Sequence, residues 1–222
     1  MTGGNKKEAV AALHREQIMK AAEALFTEKG FLQTTIEDIS KASEYSRRTI
    51  YAYYESKDDI LYHIIERGLL SLKSDIEAAI SCNADFISQY KAICEAMIKY
   101  QRDCPCSLEG VNEVKPSKIE LSALSDTVKN IFALGTEING LLADCLEQGK
   151  ERGVVRKDVV SMLTVQILWS GISALFSLAK TKGTYICKEF SISEDEFLHY
   201  GFRQLINSIL EERIPNEKSI GG

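Results

Sequence analysis

The stretch 46–57, SRRTIYAYYESK, concentrates hydrogen-bond donors: the guanidinium groups of Arg47 and Arg48, the hydroxyls of Ser46, Thr49, Tyr51 and Tyr53, and the Lys57 ammonium. No nucleophile stands beside a base here and no metal-ligand spacing occurs, so the chemistry on offer is recognition rather than catalysis. Double-stranded DNA suits such a set. An arginine can grip guanine through two hydrogen bonds, while hydroxyl and ammonium groups hold phosphate oxygens and fix the docking angle. Arg48 is the candidate base reader, with Tyr51, Tyr53 and Lys57 as candidate phosphate contacts.

These groups need a helix to present them. Thr35 precedes Ile36, Glu37 and Asp38, which predicts a cap followed by a short helix whose positive N-terminal end is matched by two carboxylates. Ile36 and Ile39 give that helix one buried face, and Ser43, Glu44 and Tyr45 interrupt it before Ser46 offers a second cap. From Ser46 onward, Ile50 and Tyr54 share one face, and Arg48 and Ala52 share the other. The pattern is helix, tight turn, helix. Glu44, without glycine's freedom, must either accept a left-handed backbone in that turn or shift the turn slightly, at a cost of about 1 kcal/mol. A longer helix over about 9–29, with Leu13, Ile18, Ala21, Ala22, Leu25 and Phe26 at three- and four-residue steps and Gly30 as its stop, braces the pair. The residues before it, with Gly3, Gly4, Lys6 and Lys7, read as a frayed arm. Ser56 is placed to cap a further helix at Lys57, whose free N–H groups could share a phosphate with the Lys57 ammonium.

In order and spacing, Ile18, Ala21, Ala22, Leu25, Phe26, Gly30, Thr35, Ile39, Ser46, Thr49, Ile50, Tyr51, Tyr53, Tyr54 and Lys57 resemble the N-terminal domain of the TetR family of transcriptional regulators. The resemblance spans about 14–66 and is densest in S-x-x-T-I-Y-x-Y-Y-x-S-K. Two features depart from it: Ser43-Glu44-Tyr45 replaces an Ala-Gly-Val-like turn, and Arg48 stands where a small residue is common. The resemblance implies an all-α protein, with a three-helix DNA-binding domain (1–57) and a larger helical ligand-binding and dimerisation domain (58–222). It also implies DNA contacts from Thr35, Ser46, Arg47, Arg48, Thr49, Tyr51, Tyr53 and Lys57.

Composition is compatible with this reading. The 222 residues are 45% hydrophobic and carry a net charge of −5, yet residues 1–57 are slightly positive on balance, so overall acidity does not exclude DNA. No cleavable leader and no unbroken apolar run of about 18 residues is evident, which predicts a cytoplasmic protein off the membrane. His14, His63 and His199 are far apart, and neither a phosphate-binding loop nor a nucleophile elbow occurs. No enzyme activity, metal or cofactor is expected.

Beyond Lys57, apolar periodicity predicts a helix to about residue 80, another over 85–102, a loop over 103–116, one long helix over 121–152 or two with a break near Gly135, and a connection in which Asp158 can cap a long apolar helix. A last helix covers about 193–213. Ser170, Gly171, Ser173 and Ala174 would admit a close neighbour, and Phe197, Gly201, Phe202, Leu205 and Ile209 form a second stripe. The family resemblance implies that these two helices pair with their copies, giving a homodimer with interface residues Ser170, Gly171, Ala174, Phe197, Gly201, Phe202, Leu205 and Ile209. It implies also an inducer site, for which Tyr90, Met97, Tyr100, Phe132, Trp169 and Phe176 are the large side chains available, suited to an apolar or aromatic small molecule. The expected function is a homodimeric repressor that leaves a palindromic operator when the ligand binds. Two alternatives stand beside it: a redox- or metal-responsive regulator using the Cys104-Pro105-Cys106 thiols, with Arg102 lowering a thiol pKa, and a helical interaction protein in which the N-terminal motif is packing only.

Overall fold

In a computed structural model of the chain, residues 3–106 and 125–215 are described, the side chains of residues 3–6 excepted. Part of the loop expected over 103–116 lies outside the described residues. Eight helices can be named among those that are described: α1 (Gly3–Lys29), α2 (Ile36–Ser43), α3 (Arg47–Tyr51), α4 (Lys57–Ser81), α5 (Phe86–Asp103), α6 (Asp126–Glu151), α7 (Ser161–Phe190) and α8 (Glu194–Asn207). The only extended pairing among them is an isolated antiparallel bridge between Val155 and Leu210.

By packing, the chain forms two compact units, Met1–Lys73 with Lys99–Gly135, and Ser74–Ile98 with Thr136–Gly222. The division falls inside α4 rather than at residue 57, because the apolar periodicity of α4 runs unbroken past Lys57 and gives the sequence no mark for a boundary. In the first unit α1 packs on α2 and α2 on α3. Ile18, Ala22 and Phe26 of α1 are buried, as are Ile39, Ile50 and Tyr54 of the next elements and Ile60, Ile64 and Ile65 of α4. Arg67 on α4 reaches back to α1, bonding Glu16 at 3.1 Å and also Glu23. Helix α1 starts at Gly3; no glycine or proline signal inside 5–12 stops it, so the expected frayed arm is helical there.

The second unit centres on an antiparallel pairing of α7 and α8. The contact is reciprocal. A Cβ built on Gly171 would lie 2.7 Å from a Leu205 methyl, and one on Gly201 would lie 2.6 Å from both methyls of Leu175. Each helix thus offers a glycine to the other's leucine, within one chain. Helix α8 opens with a capping box in which Ser193 and Glu196 bond each other's backbone N–H. It ends at Asn207, whose side chain bonds both backbone groups of Ile214. Asp158 caps nothing; it pairs with Arg156 at 3.1 Å, and Val160 occupies the cap position of α7 without a side-chain bond. α6 runs straight through Gly135. By length and composition α7 would suffice to cross a bilayer, which the absence of an unbroken apolar run concealed. His199 on α8 bonds Glu95 on α5 at 2.6 Å and the Asp195 carbonyl at 2.8 Å. Partial burial pulls its pKa down, but these bonds outweigh burial and hold it above the ordinary histidine value.

The glycine–leucine contact makes a graded expectation. Gly201→Ala gains about 1 kcal/mol of helix propensity, which offsets turning the flexible Leu175 methyls aside, whereas Gly201→Val overpacks the site and destabilises by about 1–3 kcal/mol. Thermal unfolding of the two variants checks the order.

Candidate functional site

The donor-bearing face is assembled by three caps. Thr35 and Asp38 form a capping box at α2, with the Thr35 amide 2.8 Å from the Asp38 carboxylate. Lys29 adds an ion pair at 2.8 Å; this bond, followed by those from Thr35, holds the Asp38 carboxyl far below the usual carboxylate range. Glu44 closes α2 in the left-handed region at φ 61°. Ser46 then caps α3, accepting from the Thr49 amide at 3.1 Å and meeting the Thr49 hydroxyl at 2.8 Å. At the start of α4, Ser56 accepts from the Asp59 amide at 3.1 Å.

With Ile50 fully buried beneath it, α3 turns Arg47, Arg48, Tyr51 and Ala52 outward. The side chains of Arg47, Arg48 and Tyr51 form no hydrogen bond or ion pair with any described residue, and the Tyr51 ring is 55% exposed. Two solvated guanidinium groups and a phenol therefore project together from one short helix.

Two expected phosphate contacts are committed elsewhere in the free chain. The Lys57 ammonium donates to the carbonyls of Phe31 and Thr34, both at 2.8 Å, and lies 4.2 Å from the Phe31 ring centroid. It ties α4 to the loop between α1 and α2. The first turn of α4 also carries Asp58 and Asp59, so that helix end repels a phosphate instead of inviting one. The Tyr53 hydroxyl lies 3.0 Å from His14 Nδ1. Tyr54 is buried, donates to the Arg15 carbonyl at 3.1 Å, and has its pKa pushed up to about 12 by that burial.

The second unit holds a partly open apolar cavity of about 50 Å³, lined by residues of α5, α6, α7 and α8. Tyr90, Met97 and Trp169 are among the sequence-predicted side chains that line it, joined by Phe86, Cys145 and Ile206. The cavity's polar side chains already have partners: the Tyr90 hydroxyl donates to the Phe202 carbonyl at 2.8 Å, Trp169 Nε1 to Asn139 at 3.0 Å, and the Cys145 thiol to Gln89 Oε1 at 3.6 Å. Gln89, itself buried, donates its two N–H groups to the carbonyls of Ile80 and Asn83, at the end of α4. Phe176 packs edge-on against Phe202, with centroids 5.9 Å apart, and does not line the cavity. Tyr100 and Phe132 belong to the first unit.

Comparison with known proteins adds a decisive observation. The family model described as "Bacterial regulatory proteins, tetR family" matches residues 18–64, the span that carries both short helices. This chain belongs to the TetR family. The transcriptional repressor DhaR of Mycobacterium sp. strain GP1 is 21% identical over 208 residues, covering 91% of this chain and 96% of that protein. The TetR-family regulator PfmR of Thermus thermophilus superposes with a TM-score of 0.65 at 25% identity, over 88% of this chain and 99% of the other. FadR of Thermus thermophilus, a TetR-family repressor solved in complex with lauroyl-CoA, gives a TM-score of 0.58 at 21% identity, over 92% and 100%. The TetR-family chain is thus a helical, helix-turn-helix DNA-binding regulator.

Of the sequence-predicted interface residues in this TetR-family chain, Gly201, Phe202 and Ile209 are buried inside the single chain, Gly171 is met by Leu205, and Phe197 is partly covered. Ser170 and Ala174 are exposed, and in line with them on α7 stand Leu163 and Ile167, 62% and 66% exposed. Those two aliphatic side chains escaped the sequence reading because a helix apolar nearly all round does not reveal which face is inward. Burial pushes the Cys104 thiol up and the Cys106 thiol up to about 12, which opposes the thiolate that metal or oxidant chemistry requires. Arg102 pairs with the adjacent Asp103 rather than with a thiol.

The Lys57 geometry is testable. Loss of a charged donor from two carbonyls makes Lys57→Met less stable by about 1.5–3 kcal/mol, read as a lower urea midpoint; a lysine serving phosphate alone would leave the midpoint unchanged.

Proposed function

We propose that this protein is a cytoplasmic homodimeric repressor that binds a palindromic operator through α3 and releases it when an apolar small molecule enters the cavity of the second unit. The observation that carries the DNA reading is the projection of Arg47, Arg48 and Tyr51 from a helix whose opposite side is anchored by fully buried Ile50. Thr35 and Ser46 serve it by capping, and Thr49 by bonding the Ser46 cap through its amide and hydroxyl. Tyr53 and Lys57 hold the unit together from within. The exposed row Leu163, Ile167, Ser170 and Ala174 supports a dimer seam along α7, and a twofold dimer presents two reading helices about one DNA turn apart.

The carbon-rich wall, with its polar groups already satisfied, supports an uncharged or apolar ligand moiety. The lauroyl-CoA bound by the Thermus FadR is a neighbour's example of a ligand with such a moiety. Occupancy has a physical route outward. Cys145 on the cavity wall bonds Gln89, and Gln89 grips the carbonyls that end α4, so a ligand that displaces Cys145 also loosens the end of the helix that begins at Lys57. A hundredfold loss of operator affinity needs about 2.7 kcal/mol of differential ligand binding.

Selection of bound sequences from random duplex DNA tests the reading as a whole, and a symmetric site with half-sites about one turn apart is expected. On that site Arg48→Ala weakens binding by about 1–3 kcal/mol and relaxes specificity at one position in each half; an unaltered affinity and sequence preference would remove α3 as the reader. Trp169 is the chain's single tryptophan and lines the cavity. Titration with lauroyl-CoA is therefore expected to shift its fluorescence and weaken operator binding at the same concentrations, and a Trp169 signal indifferent to that probe excludes this acyl chain.

A further inference from the structure

Helix α3 is five residues long, and Ile50 secures it at a single buried point. One pin of that kind fixes neither tilt nor direction, yet base reading requires both. The missing restraints converge on one side chain of α1. The His14 ring lies 5.0 Å from the Tyr45 ring, immediately before the Ser46 cap, and 5.8 Å from the Tyr53 ring, just beyond the other end of α3. His14 Nδ1 and the Tyr53 hydroxyl are 3.0 Å apart. The Tyr45 hydroxyl donates to Gln17, one turn along α1 from His14, and the Tyr45 carbonyl accepts from Ser40 at 2.6 Å. The Arg15 guanidinium lies over the Tyr53 ring, 5.4 Å from its centroid.

We propose that His14 is the positioning residue of the reading helix: a single α1 imidazole, wedged between Tyr45 and Tyr53, holds both ends of α3 and sets its angle in the major groove. Aromatic pairs at these separations prefer tilted and edge-on arrangements, which resist rotation as well as separation; the interplanar angles are 52° and 80°. The clasp also accounts for the unusual turn. Glu44 takes a left-handed backbone without glycine's freedom, and the adjacent Tyr45, fixed through its ring, hydroxyl and carbonyl, holds the turn in that conformation. His14 touches neither base nor phosphate in this scheme.

The inference rests on α3 being the DNA-contacting element, so Arg48→Ala is carried in parallel. With the full-length protein, affinity is measured for the selected duplex and for a scrambled duplex of equal length, well below the unfolding midpoint of every variant. His14→Ala is expected to weaken the selected duplex about tenfold while leaving the scrambled one within about twofold, because a misaligned helix still meets phosphates. His14→Phe keeps the ring but loses the bond to Tyr53, and Tyr53→Phe loses the same bond, so each weakens the selected duplex about threefold and the double variant is no worse than either. Equal losses on both duplexes, unchanged selected-duplex affinity in His14→Ala, or additive effects in the double variant would each overturn the proposal. If Arg48→Ala also leaves the selected duplex unaffected, the reading of α3 itself has failed; if Arg48→Ala weakens it and the His14 variants do not, only the positioning role falls.

Discussion

A helix of five residues cannot persist alone in water, because its nucleation cost exceeds what one turn of hydrogen bonds returns. That constraint governs the first unit. α3 exists only as far as its surroundings impose it: Ser46 closes one end, Ile50 sinks into the core as Ile18, Ile39 and Ile60 do, and α1 supplies the opposing wall. The donors that face solvent can then be arginines without local reward, since the helix draws its stability from the other side. The arrangement divides labour along a dozen residues, with burial on one face and recognition on the other.

Much of this unit was legible in the sequence for a definite reason. Caps announce themselves by residue type and offset, and Thr35, Ser46 and Ser56 all occupy the places their spacing implied. The assignment of Ile50 and Tyr54 to the buried face followed from helical periodicity alone. Lys57 and Tyr53 show where such reasoning stops. Their side chains are long enough to reach either a phosphate or a backbone carbonyl, and only the fold shows that Phe31, Thr34 and His14 lie within range. His14 itself gave no local signal, because its partners are 31 and 39 positions away in the chain.

The second unit was legible in outline and not in detail. Periodicity locates an apolar helix but does not apportion its faces between the chain's own core and anything beyond it. Glycines and leucines of α7 and α8 read as an outer seam and turned out to interlock with each other, while Leu163 and Ile167 stayed exposed. Likewise, Tyr100 and Phe132 differ from Tyr90 and Trp169 only in which unit their helix segment joins, which no local pattern encodes. The cavity's near-total lack of unpaired polar groups is a consequence of tertiary bonds such as Tyr90 to Phe202, again invisible in one dimension.

The central claim is that α3 enters the major groove of duplex DNA, and the most direct measurement is methylation protection on the selected duplex. Guanine N7 faces the major groove and adenine N3 the minor. The expected result is protection of guanine N7 in two patches about one helical turn apart, lost in Arg48→Ala, with adenine N3 still reactive. Bound DNA whose guanine N7 atoms remain fully reactive, or protection confined to the minor groove, would contradict the account.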